Sequence, residues 1–190
     1  MAIGTSQIFA HYQPLVRLTD GTIESVEALV RWEHPVYGSI PPNDFIGMTE
    51  HTDLIGPLTE AMFRNSMTDL LSLGADMPRL CLNVAAKSLV DRQFATSTLR
   101  IMDELGFPAD HLEIEIIERD IVTNSERSLL TLTTLREHGI RVAIDDFGTG
   151  YSSFLTLRDL HADRLKIDQQ FTKHIVGSAA DALIVTKLIE

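Results

Sequence analysis

Short apolar runs recur along this chain, each just past a glycine that follows a helical-looking segment. Gly74 precedes Leu80-Cys81-Leu82-Asn83-Val84, Gly106 precedes Leu112-Glu113-Ile114-Glu115-Ile116, and Gly139 precedes Arg141-Val142-Ala143-Ile144-Asp145. Glycine just beyond a helix end supplies the left-handed conformation needed there. Short apolar runs are the mark of parallel strands covered on both faces. The glycines are spaced by about one βα unit, roughly 30 residues, so the pattern predicts helix–strand alternation around a parallel sheet. A further strand is predicted at Arg164-Leu165-Lys166-Ile167-Asp168. A helix is predicted over Ala179–Glu190, where Ala182, Leu183, Thr186, Leu188 and Ile189 keep helical spacing.

The start of the chain follows a different rule. His11–Leu18 and Thr22–Trp32 flank Asp20-Gly21, a strong hairpin signal, so the first two strands are expected to be antiparallel. An ordinary eightfold βα barrel has no such pair and takes roughly 250 residues. Six predicted strands in 190 residues fall short of it, and the last helix reaches Glu190 without a capping pattern. The expected fold is therefore α/β: a (β/α)8-like barrel with an antiparallel first strand pair, incomplete, with about six of eight strands. Residues 1–190 are expected to form one domain, truncated before its last two strand units.

Composition narrows the function classes. No stretch approaches the roughly 20 apolar residues of a membrane helix, and Met1 to Ser6 lack the basic start and apolar run of a signal peptide. The single cysteine, Cys81, excludes an intramolecular disulfide framework, sits in an apolar run as a core residue would, and fits a cytoplasmic location. The net charge of −11 gives no overall attraction to nucleic acid or anionic membrane. The seven histidines show no metal-ligand spacing, and no nucleophile elbow, P-loop or dinucleotide fingerprint is present.

The chemistry lies in acidic and amide side chains near strand ends: Glu27, Asn83, Glu115, Asp145 and Asp146. In a barrel the carboxyl ends of parallel strands carry the active site, so residues from separate strands can converge there. Gathered carboxylates repel one another unless a cation intervenes. Oxygen-only ligands suit Mg²⁺, Mn²⁺ or Ca²⁺ rather than zinc, and two such metals cleave phosphate esters by acidifying water and stabilising charge on phosphorus oxygens. A lone strand-end carboxylate is more often a cap or an ion-pair partner. Asp145-Asp146 is stronger, because two adjacent carboxylates end an apolar strand just before Phe147-Gly148-Thr149-Gly150. Glu27, Leu29 and Arg31 share one strand face. Their Glu and Arg form either a simple ion pair or a carboxylate beside a phosphate grip. Lys166 either snorkels to a strand end or points into a metal site.

The motifs together resemble the EAL-domain phosphodiesterase family. His11-Tyr12-Gln13-Pro14 and Glu27-Ala28-Leu29-Val30-Arg31-Trp32 resemble its opening. Pro42, Phe45-Ile46, Leu82-Asn83-Val84, Leu112-Glu113-Ile114-Glu115, Ile144-Asp145-Asp146-Phe147-Gly148-Thr149-Gly150-Tyr151-Ser152-Ser153 and Leu165-Lys166-Ile167-Asp168 continue its order across nearly the whole chain. The resemblance implies a cyclic di-GMP phosphodiesterase core using Mg²⁺ or Mn²⁺ and releasing the linear dinucleotide pGpG. It implies Glu27, Asn83, Glu115 and Asp145 as metal ligands, Asp146 as ligand of a second metal, and Lys166 at the catalytic water. Lys166, Asp146 and Glu27 would then be catalytic, Gln13, Leu29 and Arg31 would line the substrate, and Glu118 would hold the loop from Phe147 to Ser153. It further implies a homodimer through the 147–153 loop region and linked sensory or cyclase domains.

Two positions depart from the family pattern. Ile117 replaces a threonine whose hydroxyl would help fix that loop, and Ala85 replaces a serine. A later glutamate and glutamine of the family would lie beyond Glu190, so a non-catalytic module that binds cyclic di-GMP or a protein partner is the second reading.

Overall fold

The computed structural model describes residues 2–118, 126–149 and 160–189. The predicted hairpin forms from β1 (Ile8–Val16) and β2 (Ile23–His34), which pair antiparallel. Asp20 sets the turn: its carboxylate accepts hydrogen bonds from Thr22 N and Oγ1, which hold its pKa down to about 2. A short β3 (Gly38–Ile40), absent from the sequence reading, folds back on β2. Three residues are too few to show a periodic pattern.

From there the chain alternates as predicted. Helices α1 (Pro42–Glu50) and α2 (Ile55–Leu71) lead into β4 (Arg79–Asn83). Helices α3 (Ala86–Val90) and α4 (Phe94–Leu105) lead into β5 (Leu112–Ile117), and α5 (Glu126–Glu137) into β6 (Arg141–Phe147). Then follow β7 (Arg164–Ile167), α6 (Gln169–Thr172) and α7 (Ala179–Ile189). Gly106 ends α4 in the left-handed conformation, φ 68°, as the glycine rule requires.

The sheet runs β1-β2-β4-β5-β6-β7, antiparallel at its start and parallel from β2 onward, with β3 on the side of β2. It is mixed and not closed among the described residues, matching a barrel-like wall. Its curl is nonetheless strong, because side chains of β7 reach β2 across the interior: Lys166 Nζ lies 3.0 Å from Glu27 Oε2 and Arg164 Nη2 lies 2.9 Å from Glu24 Oε1. No helix among the described residues is long and apolar enough to cross a membrane.

Alternation within the strands separates two chemistries. Leu80, Leu82, Leu112, Ile114, Ile116, Val142 and Ile144 are buried with Phe63, Met67, Leu70, Ile101, Met102, Leu132 and Leu135 of the helices in one core cluster. The intervening positions, Cys81, Glu113, Glu115 and Asp145, turn to the concave side with Arg164 and Lys166. The apolar runs are buried strands, as expected, but their concave side carries Glu113, Glu115 and Asp145 beside Cys81 and Ala143. Cys81 is fully buried, and burial beside Glu113 and Glu115 drives its thiol pKa up, so it stays neutral.

Candidate active site

Register places the site residues side by side. Glu27 of β2 pairs with Cys81 of β4, Asn83 of β4 with Glu115 of β5, and Ile117 of β5 with Asp145 of β6. Glu27 is not at the end of β2, which continues to His34, but β2 pairs with β4 only from Ser25 to Ala28. It therefore sits where the parallel part of the sheet ends, level with the strand ends of β4 and β5.

Carboxylate oxygens of Glu27, Glu115 and Asp145 lie within 4.8 Å of one another. The Lys166 ammonium stands among them, 2.6 Å from Glu115 Oε2, 3.0 Å from Glu27 Oε2 and 3.2 Å from Asp145 Oδ2. Asn83 Nδ2 donates to Glu27 Oε1 at 2.7 Å. Glu115 is fully buried, and its Oε1 has no hydrogen-bond partner. Burial raises the Glu115 pKa to about 7; Lys166 offsets this only partly, and the charges of Glu27 and Asp145 add to it. Burial works against the charge of Lys166 too, but Glu115, Glu27 and Asp145 together hold its pKa above the ordinary lysine value.

Asp146 stands apart from the group of three carboxylates. Its backbone is left-handed, φ 54°, a conformation that costs a non-glycine residue on the order of 1–3 kcal/mol and concentrates at functional positions. Its N–H donates to Asp145 Oδ1 at 2.9 Å. Glu118 Oε2 accepts from Gly148 N–H at 2.8 Å, so the bond that holds the turn after β6 forms with Ile117 in the threonine position. Residues 150–153 of the predicted loop lie outside the described residues.

Gln13 lies directly across from Glu27 in the hairpin and is exposed. Leu29 and Arg31 line a cavity of about 270 Å³ that also touches Asn83, Ala85 and Ile117. Both positions that depart from the family pattern thus face one cavity. Arg31 is half-buried and donates to the Val30 carbonyl.

A second polar layer, which the sequence reading missed, lies one pleat further from the strand ends. Fully buried Glu113 sits 3.4 Å from Arg164 Nε and 3.9 Å from Arg79 Nη1, and both arginines reach Glu24. Ser25 Oγ accepts from Arg164 Nη1 at 3.3 Å, and the Cys81 thiol donates to Glu113 Oε1 at 3.5 Å. The signal was the i, i+2 repeat of charge in Glu113/Glu115 and Arg164/Lys166, which puts both pairs on one strand face.

The EAL domain model matches residues 1–190. Cyclic di-GMP phosphodiesterase NbdA of Pseudomonas aeruginosa is 37% identical over 191 residues, covering 99% of this chain and 24% of the relative. Cyclic di-GMP phosphodiesterase PA2567 of the same organism is 37% identical over 180 residues, covering 93% of this chain and 31% of the relative. The solved structure described as PaMucR phosphodiesterase, c-di-GMP complex, superposes with TM-score 0.86 at 34% identity, covering 95% of this chain and 74% of that one. The chain thus spans about a quarter to a third of the curated relatives it matches. With the motif order, the curled mixed sheet and a family match over its full length, this chain belongs to the EAL-domain family.

Proposed function

We propose that the chain is the core of a metal-dependent phosphodiesterase that opens cyclic di-GMP to linear pGpG. The observation that carries this reading is the gathering of the Glu27, Glu115 and Asp145 carboxylates, the first and last partly buried and Glu115 fully so, around the Lys166 ammonium at the strand ends. Relatives bearing the name cyclic di-GMP phosphodiesterase support the substrate.

The residues fit a hard divalent ion such as Mg²⁺ or Mn²⁺. All donors are oxygens once the Asn83 amide contributes its carbonyl, and Glu115 Oε1 is a buried acceptor with no hydrogen bond. Glu27, Asn83, Glu115 and Asp145 would hold the first ion, and Asp146, from the adjoining strained turn, would serve a second. When bound, such an ion acts as a Lewis acid that acidifies water and draws charge from phosphoryl oxygens.

The chain's own groups do the rest. Glu27, Glu115 and Asp145 supply negative charge from three separate strands, so their spacing is set by the sheet rather than by a loop. Lys166, tethered on β7, keeps an ammonium within reach of the same centre, where it orients the attacking water. Arg31 and Gln13 flank the centre on the hairpin, with Leu29 between them in space, and would bind phosphate and base. Glu118 steadies the turn through Gly148. The 147–153 loop as a dimer contact, linked sensory or cyclase domains and residues 1–190 as one domain complete the reading.

The test is conversion of cyclic di-GMP to pGpG with Mn²⁺, followed by chromatography, using a chain extended beyond Glu190. Turnover that Glu27→Ala abolishes is expected. No turnover, or turnover indifferent to Glu27→Ala, refutes the reading.

A further inference from the structure

The strand that supplies Asp145 and Asp146 does not end smoothly. Pairing of β6 with β7 is regular at Ala143 and Ile144, shifts, and resumes only at Phe147 opposite Ile167. Asp145 and Asp146 therefore lie in an irregularity, with Asp146 left-handed. A bulge re-aims side chains but gives up ladder hydrogen bonds. Asp145 keeps its pairing with β5 opposite Ile117, whereas Asp146 lies past the last paired position on that side, so contacts outside the ladder must shape the turn it opens.

The far side of the bulge is closed by contacts to the segment after β7. Asp168 N–H donates to the Phe147 carbonyl at 3.3 Å. The Asp168 side chain accepts from Gln170 N at 2.7 Å and so caps α6, the helix that carries Phe171. Gly148 follows at φ 99°, and a Cβ there would stand 2.6 Å from Phe171 Cε2 and 3.1 Å from Cζ. The ring occupies the space a side chain at 148 would need. Phe171 is half-buried and belongs to neither apolar core cluster among the described residues. An aromatic ring outside the core, packed on a glycine two residues past Asp146, acts locally.

We propose that Phe171 is a positioning residue: its ring clamps Gly148 and so fixes the bulge that presents Asp145 and Asp146. Gly148 is held from two sides, by the Glu118 carboxylate on its N–H and by the Phe171 ring against its Cα. Hydrogen bonds fix the edges of this turn, Glu118 on the Gly148 N–H, Asp168 N–H on the Phe147 carbonyl and Thr149 on the Asp146 carbonyl, while the ring covers the face of Gly148 that none of them reaches. Glycine is required at 148 both for its φ and for the approach of the ring. The consequence for metal binding rests on the reading of the carboxylates given above, whereas the clamp itself does not.

The experiment follows the Gly148 amide by hydrogen exchange in the metal-free protein, together with Mn²⁺ affinity by calorimetry. Phe171→Ala is expected to speed exchange at Gly148 by about tenfold or more while amides of β4 and β5 keep their protection. It is expected to weaken Mn²⁺ binding by about 10-fold or more, as losing an outer support of a ligand does, and Phe171→Leu recovers most of both. Gly148→Ala should harm Mn²⁺ binding less in the Phe171→Ala background than alone, since the ring it would strike is gone. Unchanged Gly148 exchange in Phe171→Ala overturns the clamp. A wild-type protein that binds no Mn²⁺ overturns the metal reading instead, and the exchange result then decides the clamp by itself.

Discussion

Replacing Lys166 by methionine removes the cation that, among the described residues, contacts Glu27, Glu115 and Asp145 at 3.0, 2.6 and 3.2 Å. Methionine keeps the length of the stem, so the change isolates charge. Removing one partner of a buried ion pair costs about 3–5 kcal/mol. The side chain is 18% exposed and Glu115 is fully buried, so the lower end, about 3 kcal/mol, applies. For a chain of this size each kcal/mol moves the melting temperature by about 2–4 °C, which predicts a drop of about 6–12 °C in chelator. The loss should shrink as pH falls, because protonating the carboxylates removes their repulsion. A divalent ion takes over the neutralisation, and at 100 times its Kd it restores about 2.7 kcal/mol. Differential scanning fluorimetry with EDTA, then with Mn²⁺, reads both effects. Equal melting of Lys166→Met and wild type in EDTA, or no recovery with Mn²⁺, would refute the argument that Lys166 is the counter-ion of this cluster.

Other outcomes follow from the same geometry. The pKa of Glu115 is raised to about 7, so the metal-free fold binds a proton that the unfolded chain does not between the ordinary glutamate value and 7. Its stabilising contribution is full below the unfolded pKa and is lost as pH rises through about 7, so the Mn²⁺-induced rise in melting temperature should widen from pH 5.5 to 8; a constant rise contradicts the shift. Arg164→Met leaves buried Glu113 with the Cys81 thiol at 3.5 Å and, as its cation among the described residues, Arg79 at 3.9 Å, and should cost about 3–5 kcal/mol in urea unfolding. Gly106→Ala meets no atom within 4 Å, so only its left-handed backbone resists, and the loss should be about 1–2 kcal/mol.

Much of this was legible in the sequence, for reasons particular residues make plain. The hairpin was visible because Asp20-Gly21 encodes its own turn, and β4 to β6 because each apolar run is long enough to show burial. Glu27, Glu115, Asp145 and Lys166 could be named from motif order, yet only the fold shows them at hydrogen-bond distance across 139 residues of chain. Three features escaped. β3 pairs through three residues, too short for a pattern. The Glu113–Arg164–Glu24 layer depends on curl of the sheet, which no local period encodes. The Phe171–Gly148 approach depends on a bulge, and a phenylalanine in a short helix reads only as apolar.

The central claim is that Glu27, Asn83, Glu115 and Asp145 take a divalent ion in the place where Lys166 now balances their charge. Anomalous diffraction from crystals soaked in Mn²⁺ tests it directly. The account predicts a manganese peak at bonding distance from those four side chains, with Lys166 Nζ displaced from its present position among Glu27, Glu115 and Asp145. A peak elsewhere, or none at saturating Mn²⁺ with Lys166 still seated among the three carboxylates, would contradict it.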